Sequence, residues 1–144
     1  MAFWNRLFKR RSRGDLRPQR LDYLNEALAL ERQGDFDAAL TSYRLALRDD
    51  PADIRVLQNI AIAFSKAEQH DEAIRYYRKA LDIDSTLMGA HYGLAFLLIK
   101  RGETEAAVTH LQAFLANPPR DAEAQKWIDH AQHALHDIGY GEEF

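Results

Sequence analysis

Apolar residues recur along this chain at the three-to-four-residue spacing of one helix face, in helix-length stretches, and the stretches themselves repeat. Displacing the sequence by 34 positions brings like residues into register. Ala27 meets Ala61 and Ala95, and Leu30 meets Phe64 and Leu98. Further along, Ala39, Ala73 and Ala107 coincide, then Leu40, Ile74 and Val108, then Tyr43, Tyr77 and Leu111, then Leu47, Leu81 and Leu115. Each period holds two such stretches, so the pattern predicts pairs of helices. Gly34 and Gly102 stand near the ends of the first stretches, where a helix C-terminus needs φ > 0. Pro51 and the pair Pro118 and Pro119 stand after the second stretches, where a residue without a backbone N–H stops a helix.

These residues resemble the tetratricopeptide repeat family, a 34-residue helix-turn-helix with a Trp-Leu-Gly-Tyr-Ala-Phe-Pro signature. In the first period the second half of the signature stands as Gly34, Phe36, Ala39, Tyr43, Ala46, Leu47 and Pro51, with Tyr23, Glu26, Ala27 and Leu30 in the first half. The second reads Leu57, Ile60, Ala61, Phe64, Ala73, Tyr77, Ala80 and Leu81, departing at Glu68, His70 and Ser85. The third reads Leu94, Ala95, Leu98, Gly102, Ala107, Leu111, Leu115 and Pro119, departing at His91, Thr104 and Phe114, the last a large ring where a small residue belongs. The resemblance implies an all-α fold, a right-handed superhelical solenoid of antiparallel helix pairs with about seven helices. Its repeats are expected at about 20–53, 54–87 and 88–121, with a capping helix over 122–137 that carries Trp127, Ile128, Ala131, Ala134 and Leu135. Together these make a repeat domain over 19–137, between an N-terminal tail at 1–18 and a C-terminal tail at 138–144.

The resemblance also places a concave groove along the first helix of each repeat. Its positions carry Leu21, Leu24, Leu28 and Glu31 in the first repeat, Arg55, Gln58, Ile62 and Ser65 in the second, and Gly89, Tyr92, Phe96 and Ile99 in the third. Leu94 to Ile99 is an unbroken apolar run, more than one buried face uses. The expected partner-binding residues are Leu24, Leu28, Asn59, Ile62, Lys66, Tyr92, Phe96 and Lys100, and such a surface suits an amphipathic helix or an extended apolar peptide. Cover by the chain's own tail or cap is the alternative. Some family members hold a C-terminal carboxylate with a clamp of Lys, Asn and Arg. Only Asn59 matches that clamp, since Leu24, Leu28, Gly89 and Gly93 occupy its other positions, and binding of that kind is disfavoured.

Charge adds a second feature. Residues 1 to 20 carry seven Arg and Lys against one acid, and the remainder carries 12 against 21, so a +6 tail precedes a −9 body. If residues 2 to 11 are helical, Phe3, Trp4, Leu7 and Phe8 fall within an arc of about 140°, with Arg6, Lys9 and Arg10 facing away and Arg11 extending the charge. That pattern suits reversible attachment to an anionic membrane surface, and equally an unstructured basic leader. Nucleic acid is disfavoured as a partner, because the basic residues are not concentrated on the folded part. No stretch of 18 apolar residues is present and the N-terminus lacks a continuous signal-peptide core, so the expected location is cytoplasmic, with peripheral attachment at the inner face of a membrane as an extension.

Chemistry is sparse. The chain has no cysteine, eight Ser and Thr in no nucleophile setting, no Gly-rich phosphate loop and no His-Glu-x-x-His. His130, His133 and His136 spread over about 120° of a helix, which suits a solvated face better than a metal site. No enzyme activity, cofactor or metal is expected. The reading is a non-catalytic adaptor or scaffold that binds a protein segment in an apolar groove, and the alternative is an assembly subunit whose groove is permanently buried in a complex or oligomer.

Overall fold

The predicted stretches are helices. The computed structural model describes residues 19–139, and among these there are seven helices and no strand. They are α1 (Gln19–Arg32), α2 (Phe36–Asp49), α3 (Ile54–Lys66), α4 (His70–Ile83), α5 (Met88–Lys100), α6 (Thr104–Ala116) and α7 (Ala124–Ile138).

Two turn chemistries recur with the sequence period. Between the helices of each pair, the backbone closes the same C-terminal turn three times. Gly34 N–H donates to Glu31 O and Asp35 N–H to Leu30 O, both at 2.9 Å; Glu68 to Ser65 (3.1 Å) and Gln69 to Phe64 (2.9 Å) repeat it, as do Gly102 to Ile99 (3.0 Å) and Glu103 to Leu98 (2.9 Å). This double bond pattern satisfies the last carbonyls of the helix and needs a left-handed residue after it. Gly34 and Gly102 supply that at φ +82° and +81°. Glu68 occupies the equivalent place at φ +60°, a conformation that L side chains avoid. The second turn chemistry joins one pair to the next. Asp50 Oδ1 accepts from Ala52 N–H (3.2 Å), Asp84 Oδ1 from Thr86 N–H (2.9 Å) and Asp121 Oδ1 from Glu123 N–H (3.1 Å). These side chains mimic a backbone turn where helix bonding has ended.

The chain forms two compact units, the first ending at Val56 and the second beginning at Leu57. In the first, α1 packs on α2. Ala27, Ala39 and Tyr43 are fully buried there, and the Tyr43 hydroxyl donates to Glu31 Oε2 at 2.5 Å. Burial and that carboxylate hold the Tyr43 phenol well above its ordinary pKa. Glu26 is exposed.

In the second unit α5 packs on α4 and α6, and α6 packs on α7. The alanines of the repeat register, Ala61, Ala73, Ala95 and Ala107, are all at 0% exposure, which lets helices approach closely. Phe64 of α3 stacks on Tyr76 of α4 with ring centroids 5.7 Å apart. The apolar run on α5 is used more fully than one buried face would allow. Leu94, Ala95, Leu97 and Leu98 are all buried, because the helix has neighbours on several sides. Phe114 is also buried, packed with Ala95, Val108, Leu111, Ala131 and Leu135. The large ring therefore fills the space between α5, α6 and α7 rather than disturbing it.

The seventh helix starts at Ala124 and ends at Ile138, slightly displaced from the expected 122–137. Its C-terminus repeats the earlier geometry: Gly139 takes φ +98° and its N–H donates to His136 O at 2.9 Å. Leu135 precedes Gly139 by four residues, as Leu30, Phe64 and Leu98 precede Gly34, Glu68 and Gly102. α7 is thus equivalent to the first helix of a further repeat. Its register is displaced by three because the link before it runs over 117–123, seven residues, whereas 50–53 and 84–87 have four.

Candidate functional site

In the second unit an aromatic cluster joins α5, α6 and α7. Tyr92 and Phe96, one turn apart on α5, lie 4.8 Å from each other between ring centroids. Phe114 of α6 lies 5.2 Å from Tyr92, and Trp127 of α7 meets it edge-on at 5.3 Å. His130 of α7 stacks on Phe96 at 4.3 Å with 2° between planes, and its Nδ1 is hydrogen-bonded to the Tyr92 hydroxyl. Burial raises the Tyr92 pKa, so the phenol keeps its proton and can donate it to the imidazole nitrogen. Tyr92 is thereby fastened under α7, whereas Phe96 remains half-open.

Beside Phe96 a cleft of about 220 Å³ runs between α5 and α7. Phe96, Ile99, Ala134 and Ile138 supply apolar surface, and His130, His133 and Asp137 line it as well. Asp137 Oδ2 lies 3.7 Å from His133 Nε2, and Asp137 Oδ1 lies 3.9 Å from His136 Nδ1. The volume is below the roughly 300–1,000 Å³ of small-molecule sites.

The other sequence-predicted positions are distributed as follows. In the first unit Leu24 is buried, at 9% exposure, and Leu28 is half-buried. In the second, Asn59 is half-buried and Ile62 is exposed at 40%. Lys66 and Lys100 are exposed in the last turns of α3 and α5, where a cation complements the helix dipole. Of the predicted set, Tyr92 and Phe96 are brought into one aromatic cluster. Phe3, Trp4, Arg6, Leu7, Phe8, Lys9, Arg10 and Arg11 lie outside the described residues.

Gly93, the neighbour of Tyr92, has a packing role. A Cβ there would lie 2.6 Å from Cζ and Oη of Tyr77. The Tyr77 ring of α4 occupies the space that a side chain at 93 would need. The α7 contribution to the cleft was missed at the level of sequence. Its signal was the spacing of His130, Ala134 and Ile138, four apart and on one face of a helix.

Two models of the tetratricopeptide repeat family match the chain, one over residues 19–86 and the other over 64–127. The chain belongs to the tetratricopeptide repeat family. Among curated relatives, Photosystem I assembly protein Ycf3 of Acaryochloris marina (strain MBIC 11017) is 31% identical over 84 residues, covering 56% of this chain and 51% of that protein. The chain spans about half of that relative's length. Among solved structures, MamA superposes with a TM-score of 0.74 at 21% identity, covering 85% of this chain and 66% of that one. The TPR2B domain of yeast Sti1, solved in a complex with pHsp70, superposes with a TM-score of 0.73 at 21% identity, covering 83% and 98%. The fold class is therefore the all-α tetratricopeptide class that the repeats implied, and the repeat fold is a protein-interaction module. Among the described residues no helix is long and apolar enough to cross a membrane.

Proposed function

We propose that the chain is a non-catalytic adaptor that receives an apolar peptide or helix of a partner protein on the groove face of its second unit. The observation that supports this most directly is the cleft beside Phe96, whose apolar walls remain open to solvent after α7 has covered Tyr92. Ile62, exposed at 40% on α3, adds apolar surface on the same unit, and Lys66 and Lys100 offer cations for acidic groups flanking the peptide. The α7 helix is part of this site as well as a cap.

Selection from a random peptide library on the full chain, followed by NMR mapping of a selected peptide, tests the reading. The expected peptides share apolar anchors and shift the resonances of Phe96, Ile99, Ala134 and Ile138. A stable oligomer by light scattering, with this face protected in the absence of peptide, would support the assembly-subunit reading instead. For residues 1–18 the sequence supports attachment to an anionic membrane surface. Co-sedimentation with anionic liposomes that is lost on deleting 1–18 is the expected result, and no binding by the intact chain would end that part of the proposal.

A further inference from the structure

Two histidines outside the cleft meet across the helix pair of the third repeat. His91 on α5 and His110 on α6 place their Nδ1 atoms 2.9 Å apart, with ring centroids at 5.2 Å and 35° between planes. On its other side, His91 Nε2 lies 2.8 Å from the carbonyl oxygen of Ser85 in the turn between α4 and α5. A carbonyl oxygen can only accept, so His91 Nε2 carries a proton. In neutral His91 the Nδ1 is then a bare acceptor, and the proton between the rings belongs to His110 Nδ1. When His91 is the charged member it donates from Nδ1 instead, and the proton of His110 resides on its Nε2.

Either arrangement places one proton between the two Nδ1 atoms. Charging both rings puts a proton on each, and two N–H groups then oppose each other across 2.9 Å. The charged group acting on His110 from α4 is Arg78, which has the same sign as a protonated imidazole, and among the described residues no carboxylate hydrogen-bonds or ion-pairs with either ring. We propose that His91 and His110 form a proton-sharing pair that ties α5 to α6 and to the Ser85 turn while it carries at most one positive charge, and that opens when both imidazoles are protonated.

Independent physical pressures act in the same direction. Burial first, then His91 and Arg78, hold His110 below the ordinary histidine pKa. Because the folded form resists a proton that the unfolded chain accepts, stability is intact above the unfolded pKa of about 6.5 and is lost as pH falls below it. For one refused proton the folded-to-unfolded ratio drops by up to about tenfold per pH unit in that window. The third repeat is thereby an acid-sensitive element, whatever the partner of the cleft.

The test uses the full chain, with imidazole nitrogens followed by long-range proton–nitrogen NMR from pH 8 to pH 5. At pH 8 His91 should show the Nε2–H tautomer and His110 the Nδ1–H tautomer, and the pair should take up its protons in two separated steps. Denaturant unfolding of the wild type should lose more of its folded-to-unfolded ratio between pH 7.5 and 5.5, by up to about tenfold, than His110→Gln, which keeps a donor and does not titrate. Independent titration of both rings near the ordinary histidine value, or equal pH slopes for wild type and variant, would overturn the proposal. If His110→Gln does not fold, the wild-type spectra decide alone.

Discussion

Glu68 does at φ +60° what Gly34 and Gly102 do in the other two repeats. Its turn is kept because the bonds to Ser65 and Phe64 carbonyls are made in full. The left-handed region costs a non-glycine residue roughly 1–2 kcal/mol, and the greater freedom of glycine in the unfolded chain offsets roughly 0.5–1 of that. Glu68→Gly should therefore stabilise the protein by about 0.5–1 kcal/mol, read as a higher denaturant midpoint at unchanged slope. Gly93 gives the opposite case. Alanine is about 1 kcal/mol better than glycine inside a helix, yet a Cβ at 93 would meet the Tyr77 ring at 2.6 Å, and overpacking costs about 1–3 kcal/mol. Tyr77 is 6% exposed and has little room to retreat. Gly93→Ala should lose about 1 kcal/mol in the same denaturation experiment, and a gain would show that the ring moves aside. The two glycine turns were legible in the sequence because the reason for them is local. The role of Gly93 was not, because the ring that requires it comes from another helix.

At the scale of elements, the repeat period was readable because every helix pair buries the same alanines, Ala27, Ala61 and Ala95 in one series and Ala39, Ala73 and Ala107 in the other. Two features escaped it. The run from Leu94 to Ile99 exceeds what one contact face can bury, and the periodicity of a single helix does not show that neighbours close on α5 from several sides. The seven residues at 117–123 displace α7 by three positions, so its Gly139 turn and its contribution to the cleft do not align with the 34-residue register. The packing makes α7 an integral element. Leu135, at 8% exposure, shares a core with Ala95, Leu111, Phe114 and Ala131. Leu135→Ala should cost about 2–3 kcal/mol, the lower part of the range for buried leucines because the site lies toward the surface. Thermal unfolding followed by circular dichroism measures it, and a cost within about 0.5 kcal/mol of zero would mean that α7 is an appendage.

For the whole molecule, the proposed function uses apolar surface rather than reactive groups. The sequence anticipated the family, and it put Tyr92 and Phe96 among the expected partner-binding positions. It left open whether groove or cap would claim them, since that depends on where a displaced helix lands. The structure divides them: Tyr92 is bonded to His130 under α7, and Phe96 stacks on the same ring while still lining the open cleft. An apolar peptide docking there would meet Ile99, Ala134 and Ile138, and a negative charge introduced among them would be left without a partner. The decisive measurement is titration of a library-selected peptide into the wild type and into Ile99→Glu, with folding of the variant verified by circular dichroism. The folded variant should bind at least about tenfold more weakly, a loss of about 1.4 kcal/mol. Equal affinity for the two proteins would contradict it.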